Sequence, residues 1–174
     1  MEDIKLTLDL TSVPAVDSEV ATRTLTEAGY RFFTLAQAGD DEATRRKLYS
    51  LVREGVHDTA GFTGEFERYE AFIERIYTRS YGQHAESQFL AAYADDWVGL
   101  SSFVGKPDGG GIFGLTVVTR EHRCRGIARA LKLLGLQYAQ KNGIGKIVTE
   151  NHPENTPILG LNQALGFTKP TSGV

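Results

Sequence analysis

The spacing of hydrophobic positions changes several times along the chain, and each change marks an element. Ile4, Leu6, Leu8 and Leu10 alternate with Lys5, Thr7 and Asp9, the period of a strand buried on one face. A polar stretch containing Pro14 leads into a short helix at about residues 19–28, with Gly29 as its stop. Residues 30–36, YRFFTLA, are aromatic and favour a strand. DDEATRRKLYSLVREG, residues 40–55, reads as a helix with acids in its first turn and Gly55 at its end. A second helix is predicted over residues 65–79, where Phe66, Tyr69, Phe72, Ile73 and Ile76 recur at helical spacing.

The pattern then turns to strands. Two apolar runs flank Ala94-Asp95-Asp96, a hairpin signature, and GKPDGGG at 105–111 separates them from a third run, IFGLTVV, at 112–118. A helix, a strand (145–151, GKIVTEN), another helix (156–165) and a terminal segment complete the chain. Helices first, an antiparallel meander next and a β-α-β-α half last predict an α/β class: one mixed, mostly antiparallel sheet with flanking helices.

The helix after residue 118 has an unusual entrance. Ile127, Ala130, Leu131, Leu134 and Tyr138 form its core face, and Gly143 ends it. No Ser, Thr, Asp or Asn stands just ahead of Gly126, so the customary side-chain cap is missing. The first amides of a helix have no internal partner, and the peptide dipoles add about half a positive charge there. Gly126 and Ala128 keep the approach small, while Arg123, Arg125 and Arg129 surround it with charge. A strand feeding such an entrance suits a phosphate or pyrophosphate.

Composition narrows this reading. The net charge is −3, so an anion site has to be local, and neither nucleic acid nor an anionic membrane is an expected partner. The single cysteine, Cys124, rules out an internal disulfide, and the 4 histidines share no metal-ligand spacing, so no metal is expected. Cys124 lies between two arginines, which favours its thiolate, yet no His–Asp pattern surrounds it to support covalent catalysis. MEDIKLTLDL lacks the basic start and apolar run of a signal peptide, and a cytoplasmic location is expected. Neither a Gly-Lys-Ser/Thr ending nor a Gly-x-Gly-x-x-Gly after a first strand is present, which disfavours a P-loop or dinucleotide-binding protein.

Arg123-Cys124-Arg125-Gly126-Ile127-Ala128 after LTVV resembles the central motif of the GNAT superfamily, in which Arg or Gln is followed by two residues, Gly, one residue, then Gly or Ala. TENHPENTPILGLNQALGF is similar to that family's fifth strand and fourth helix, and its spacing of asparagines before Leu-Gly-Phe resembles the tandem-domain, mycothiol synthase-like branch. The resemblance implies a GNAT acyl-CoA N-acyltransferase fold at residues 30–174, with residues 1–29 as an N-terminal extension. It implies direct transfer of acetyl from acetyl-CoA, as co-substrate, to a primary amine on a small molecule or a protein N-terminus. Carried onto this chain, it implies that backbone groups of Val117 and Val118 pair with pantetheine and that amides from Arg123 to Ala128 hold the pyrophosphate. Arg123 or Arg129 then reaches a nucleotide phosphate, and Asn155 hydrogen-bonds the cofactor.

The catalytic residues are less determined. Where many relatives carry a tyrosine able to protonate the departing thiolate, this chain has Asn162, which has no proton to give at neutral pH. The strand at 112–118 contains no acid, so the candidate bases are Glu150, Asp58, His57 and His152. These departures leave an alternative open: a non-catalytic CoA-binding module derived from one half of a two-domain enzyme. Only 7 residues follow Phe167, where relatives finish with two strands. One strand is therefore expected to be replaced by IKLTLDL or by a second subunit, and an open edge of this kind favours a homodimer.

Overall fold

The alternating N-terminus forms β1 (Ile4–Asp9), whose Leu6 and Leu8 are buried. The structure, a computed structural model, describes residues 2–59 and 61–170. The helical elements are α1 (Glu19–Glu27), α2 (Leu35–Ala38), α3 (Glu42–His57), α4 (Tyr69–Phe72), α5 (Ile127–Lys141) and α6 (Thr156–Ala164). The remaining strands are β2 (Tyr30–Thr34), β3 (Gln88–Tyr93), β4 (Asp96–Gly105), β5 (Gly110–Val118) and β6 (Lys146–Asn151). They make one six-stranded sheet in the order β1-β6-β5-β4-β3-β2, antiparallel except for the β5–β6 pair. Helix α5 covers one face through Ile127, Leu131 and their neighbours, and α3 covers the other through Leu48, Leu51 and Val52.

The missing terminal strand is supplied by the chain's own N-terminus. β1 lies antiparallel to β6 from Ile4↔Asn151 to Asp9↔Lys146, and Thr168 closes a bridge on the far side of Thr7. The edge that favoured a second subunit is thus occupied from within.

The site is opened by a single irregularity. β5 and β6 pair in parallel only from Gly110↔Lys146 to Phe113↔Thr149. Beyond that point β5 keeps its bonds to β4 but slips register: Phe103 faces Phe113 while Ser101 faces Thr116. Gly114 and Leu115 therefore stand against Ser102 alone, a bulge that bends β5 away from β6.

Three expectations about the helices are corrected. Helix α3 does not stop at Gly55 but continues to His57, because Gly55 is a contact point: a Cβ there would lie 2.7 Å from that of Val117. The strand expected at 30–36 ends at Thr34, which caps α2 in a reciprocal box with Gln37. The helix expected from residue 65 begins at Tyr69 and widens into a π-helix over Ile73–Tyr81. Thr78 Oγ1 donates to the Ile73 carbonyl five residues back (2.8 Å), and Gly82 N–H does the same to Tyr77 (2.8 Å). The wider turn lets Phe72, Tyr77 and Tyr81, spaced by five and four, all face the core.

One buried residue breaks the apolar rule. Lys132 on α5 is 1% exposed, and its Nζ lies 4.1 Å from the centroid of the Phe113 ring. Burial pushes its amine down from the ordinary lysine value to about 7. From about pH 7 up to the unfolded value of ~10.4, the unfolded chain holds a proton that the folded chain lacks. Stability is therefore expected to be lowest below pH 7 and to rise across that window. Lys132→Met should raise stability at pH 7 by about 1–4 kcal/mol, the range seen when buried charge gives way to apolar volume, and should flatten the rise. Thermal unfolding from pH 6 to 10 checks both outcomes.

Candidate active site

Where β5 parts from β6 a wedge opens, walled by β5 from Thr116 to Val118, by the end of α3 and by the N-termini of α5 and α6. Gly126 holds α5's entrance at φ 89° and ψ 1°, a left-handed turn, and no side chain caps it. The first intrahelical bond runs from Ala130 N–H to the Gly126 carbonyl (3.0 Å). The amides of Ile127, Ala128 and Arg129 thus begin the helix without a carbonyl partner. No atom lies within 4 Å of where a Cβ on Gly126 would be, so the glycine serves the backbone angle and keeps the approach clear. Cys124 is also left-handed, at φ 59°, and exposed. Successive turns of this kind point amides into a shallow nest suited to an anion.

The wedge has a volume of about 610 Å³. Val117, Val118, Arg123, Cys124, Gly126, Ile127, Ala128, Arg129 and Asn155 all line it, whereas Arg125 does not. Arg125 instead reaches back to the Glu121 carbonyl (3.3 Å). Asn155 combines two roles: it lines the wedge while its Oδ1 accepts the Ile158 amide (3.5 Å), capping α6 with Pro157 in the first turn. Thr119 N–H donates to the Val98 carbonyl (2.9 Å). By strand alternation, the backbone polar groups of Val117 then face β4, and those of Thr116 and Val118 face the wedge. Thr116, rather than Val117, thus offers its backbone alongside Val118.

The arginines divide their work. Arg123 Nε donates to the Val118 carbonyl (2.9 Å), and its Nη2 bonds the Asp58 carboxylate. Arg120 bonds the same carboxylate through Nη2 and through Nε (3.2 Å), while its backbone amide reaches Glu54 (3.3 Å). Hydrogen bonds from Arg120, then from Arg123, hold the Asp58 carboxyl down to about 2. Asp58 is thus a strut from the end of α3 to the loop before α5, and a carboxylate so firmly ionised is a poor proton acceptor at neutral pH. Arg129 makes no such internal bond among the described residues and remains on the wall.

The other catalytic candidates are dispersed. Asn162 is fully buried and outside the wedge lining; its Nδ2 donates to Asn151 Oδ1 (2.8 Å). Glu150 is exposed, one residue past the last β5–β6 pair and on the opposite face from buried Thr149. His57 stacks edge-on to Phe62 (5.4 Å) in a side hollow shared with Asp58 and Arg120. His152 packs beside Gly61, and its Nδ1 accepts the Glu154 amide (3.3 Å), so the neutral ring carries its proton on Nε2. The wedge also includes Thr116, His122 and Glu154, which sequence reasoning did not single out. His122 is fixed by a 2.8 Å bond between its Nδ1 and Tyr30 Oη. Glu154 had a usable signal: it directly precedes Asn155 at the entrance to α6.

The fold is that of a known family. Residues 42–167 match the model described as the Acetyltransferase (GNAT) family, and the chain belongs to that family. A mycothiol acetyltransferase of Arthrobacter sp. (strain FB24) is 36% identical over 52 residues, 30% of this chain and 16% of that protein. A GCN5-related N-acetyltransferase from Sphaerobacter thermophilus superposes with a TM-score of 0.68 at 21% identity, over 97% of this chain and 48% of its own. A structure of the NatC complex bound to Gag peptide and CoA gives a TM-score of 0.65 at 18% identity, over 82% of this chain and 86% of that one. The chain therefore spans about half the length of the Sphaerobacter protein.

Asp58→Asn is expected to free the loop 119–126 and to cost about 1 kcal/mol, the upper end for ion pairs whose guanidiniums stand in solvent. Because the folded value is depressed, the wild-type contribution is present above the unfolded value of ~3.9 and is lost as pH falls toward 2. Acid titration of Tm should show that loss in the wild type and not in the variant. Gly126→Ala forces a side chain into a left-handed angle and should cost about 1–2 kcal/mol, read by urea unfolding.

Proposed function

We propose that this chain is an acetyl-CoA-dependent N-acetyltransferase that passes acetyl directly to a primary amine in a ternary complex. One observation carries the reading: the uncapped amides of α5 open at the mouth of a wedge between two strands that have separated. A diphosphate on those amides sends an extended pantetheine arm along β5, bonded to the outward groups of Thr116 and to the Val118 N–H as an added strand, the Val118 carbonyl being held by Arg123. Family membership and the CoA held by the NatC structure support this. Arg129 faces a phosphate, whereas Arg123 and Asp58 hold the loop in shape.

The acceptor amine approaches from the face on which α3 packs. Its nitrogen attacks the thioester carbonyl, the C–N bond forms and the C–S bond breaks. Glu150 stands just past the strand junction, exposed and on that face, and takes the amine proton through water. The acceptor is a small-molecule amine or a protein N-terminus. A second reading, a CoA-binding module without turnover, is favoured by the buried position of Asn162 and the locked carboxylate of Asp58.

CoA is expected to raise the melting temperature well above the effect of ATP or NAD at equal concentration. Thiol release from acetyl-CoA across a panel of small amines and N-terminal peptides should exceed the amine-free rate for at least one acceptor. With that acceptor, Glu150→Gln should lower kcat by about 10²-fold and leave the CoA-induced melting shift unchanged. No melting shift with CoA overturns the whole reading. A melting shift without turnover on any acceptor selects the module, and full activity in Glu150→Gln removes that residue from the mechanism.

A further inference from the structure

Lys132 lies outside the wedge's lining, beside the last residues that β5 and β6 pair. Its Nζ covers the ring of Phe113, the last β5 residue paired with β6, and reaches toward Phe167 at 5.8 Å. Across the junction Phe113 pairs with Thr149, whose Oγ1 contacts Asn151 Oδ1 (3.5 Å), and Asn151 in turn accepts from Asn162. The polar groups buried under α5 and α6 are thus gathered at the closed end of the wedge. Asn162 Oδ1 is buried without a donor, and Lys132, 1% exposed, makes no hydrogen bond or ion pair among the described residues.

Among the described residues, no acid pairs with Lys132. α5, β5 and α6 contain no Asp or Glu, and neither does the segment from Gly166 to Pro170. β6 has only Glu150, on the opposite face, and β1 has only Asp9, exposed and bonded to Thr11. The remaining cations of these elements, Lys5, Arg129, Lys141, Lys146 and Lys169, belong to exposed residues. Glu19 and Glu27 of α1 and Asp96 of β4, the acids of the other elements against α5, are exposed as well; an ammonium buried apart from any acid is costly unless an anion comes to it.

We propose that Lys132 is the counter-charge for the CoA thiolate released at the closed end of the wedge. The inference rests on the CoA reading above. An arm anchored at Gly126 runs along β5 from Val118 toward Gly114, about 13 Å of strand, and its sulfur end stops at the junction. When the C–S bond breaks, the electron pair stays on sulfur. The amine proton has gone through water to Glu150; Lys132, where neutral, takes its proton from solvent, and the thiolate takes its own from solvent after release. Lys132 does not line the wedge, so it acts through space across a dry wall, where charge interactions are weakly screened. Its lowered proton affinity lets an adjacent anion draw it into the charged form near neutral pH.

The test is the ionisation of enzyme-bound CoA, followed by thiolate ultraviolet absorbance against pH, with the S-methyl thioether of CoA as blank so that Cys124 cancels. The bound thiol of the wild type is expected to ionise at least about one pH unit below free CoA, tenfold in favour of thiolate. In Lys132→Met that shift should disappear while CoA still binds, and in Lys132→Arg most of it should remain. A wild-type bound thiol that ionises at or above the free value overturns the proposal, whatever the variants do. So does an unchanged shift in Lys132→Met. If CoA does not bind the wild type at all, the CoA reading fails, and that outcome is separate from either of these.

Discussion

Two strands that run side by side and then separate impose the main constraint on this molecule. Phe113 and Thr149 are the last partners, and the extra residue at Gly114-Leu115 turns β5 aside. The parted segments expose backbone donors and acceptors that a closed sheet would have paired. On β5 those groups become a template for an extended ligand. On β6 the far edge is covered by β1, so only the inner side stays open. The wedge is therefore a deliberate gap in hydrogen bonding, held apart by two helices whose N-termini face it.

Keeping such a gap open requires rigid supports. The close approach of Gly55 to Val117 locks α3 onto β5 from one face, and α5 is fixed on the other by Ile127 and Leu131. Asp58 ties the end of α3 to the loop that leads into α5, with Arg123 extending the tie to the Val118 carbonyl. Charges that resemble ligand-binding groups in the sequence are thus partly structural. The electropositive character needed for an anion rests on the helix amides and on Arg129.

How much could be read beforehand depended on distance along the chain. The entrance at Gly126 is local: the absent cap, the glycine and the flanking arginines fall within a few residues, and the structure keeps the bare entrance and Arg129 on its wall while Arg125 turns away and Arg123 is tied to Asp58. The strand order of the second half was legible for the same reason. Asp58 was not, because its arginines lie 62 and 65 positions away and nothing in the spacing pairs them. The π-helix was hidden because its inward residues follow steps of five and four, which a helical template splits between faces. Gly55 looked like a stop because a close approach and a helix end call for the same residue. Lys132 was visible as the charge interrupting ALKLLGL, but only its acid-free surroundings give it meaning.

The bridge between Thr7 and Thr168 sets the two ends of the fold beside each other, with β1 inserted between β6 and the last described residues. During synthesis β1 can find its place only after β6 has been made, since 147 positions separate the partners Ile4 and Asn151. Until then the hydrophobic side chains Leu6 and Leu8 and the bare rim of β6 are both exposed, a window in which chaperones or a neighbouring nascent chain can engage them.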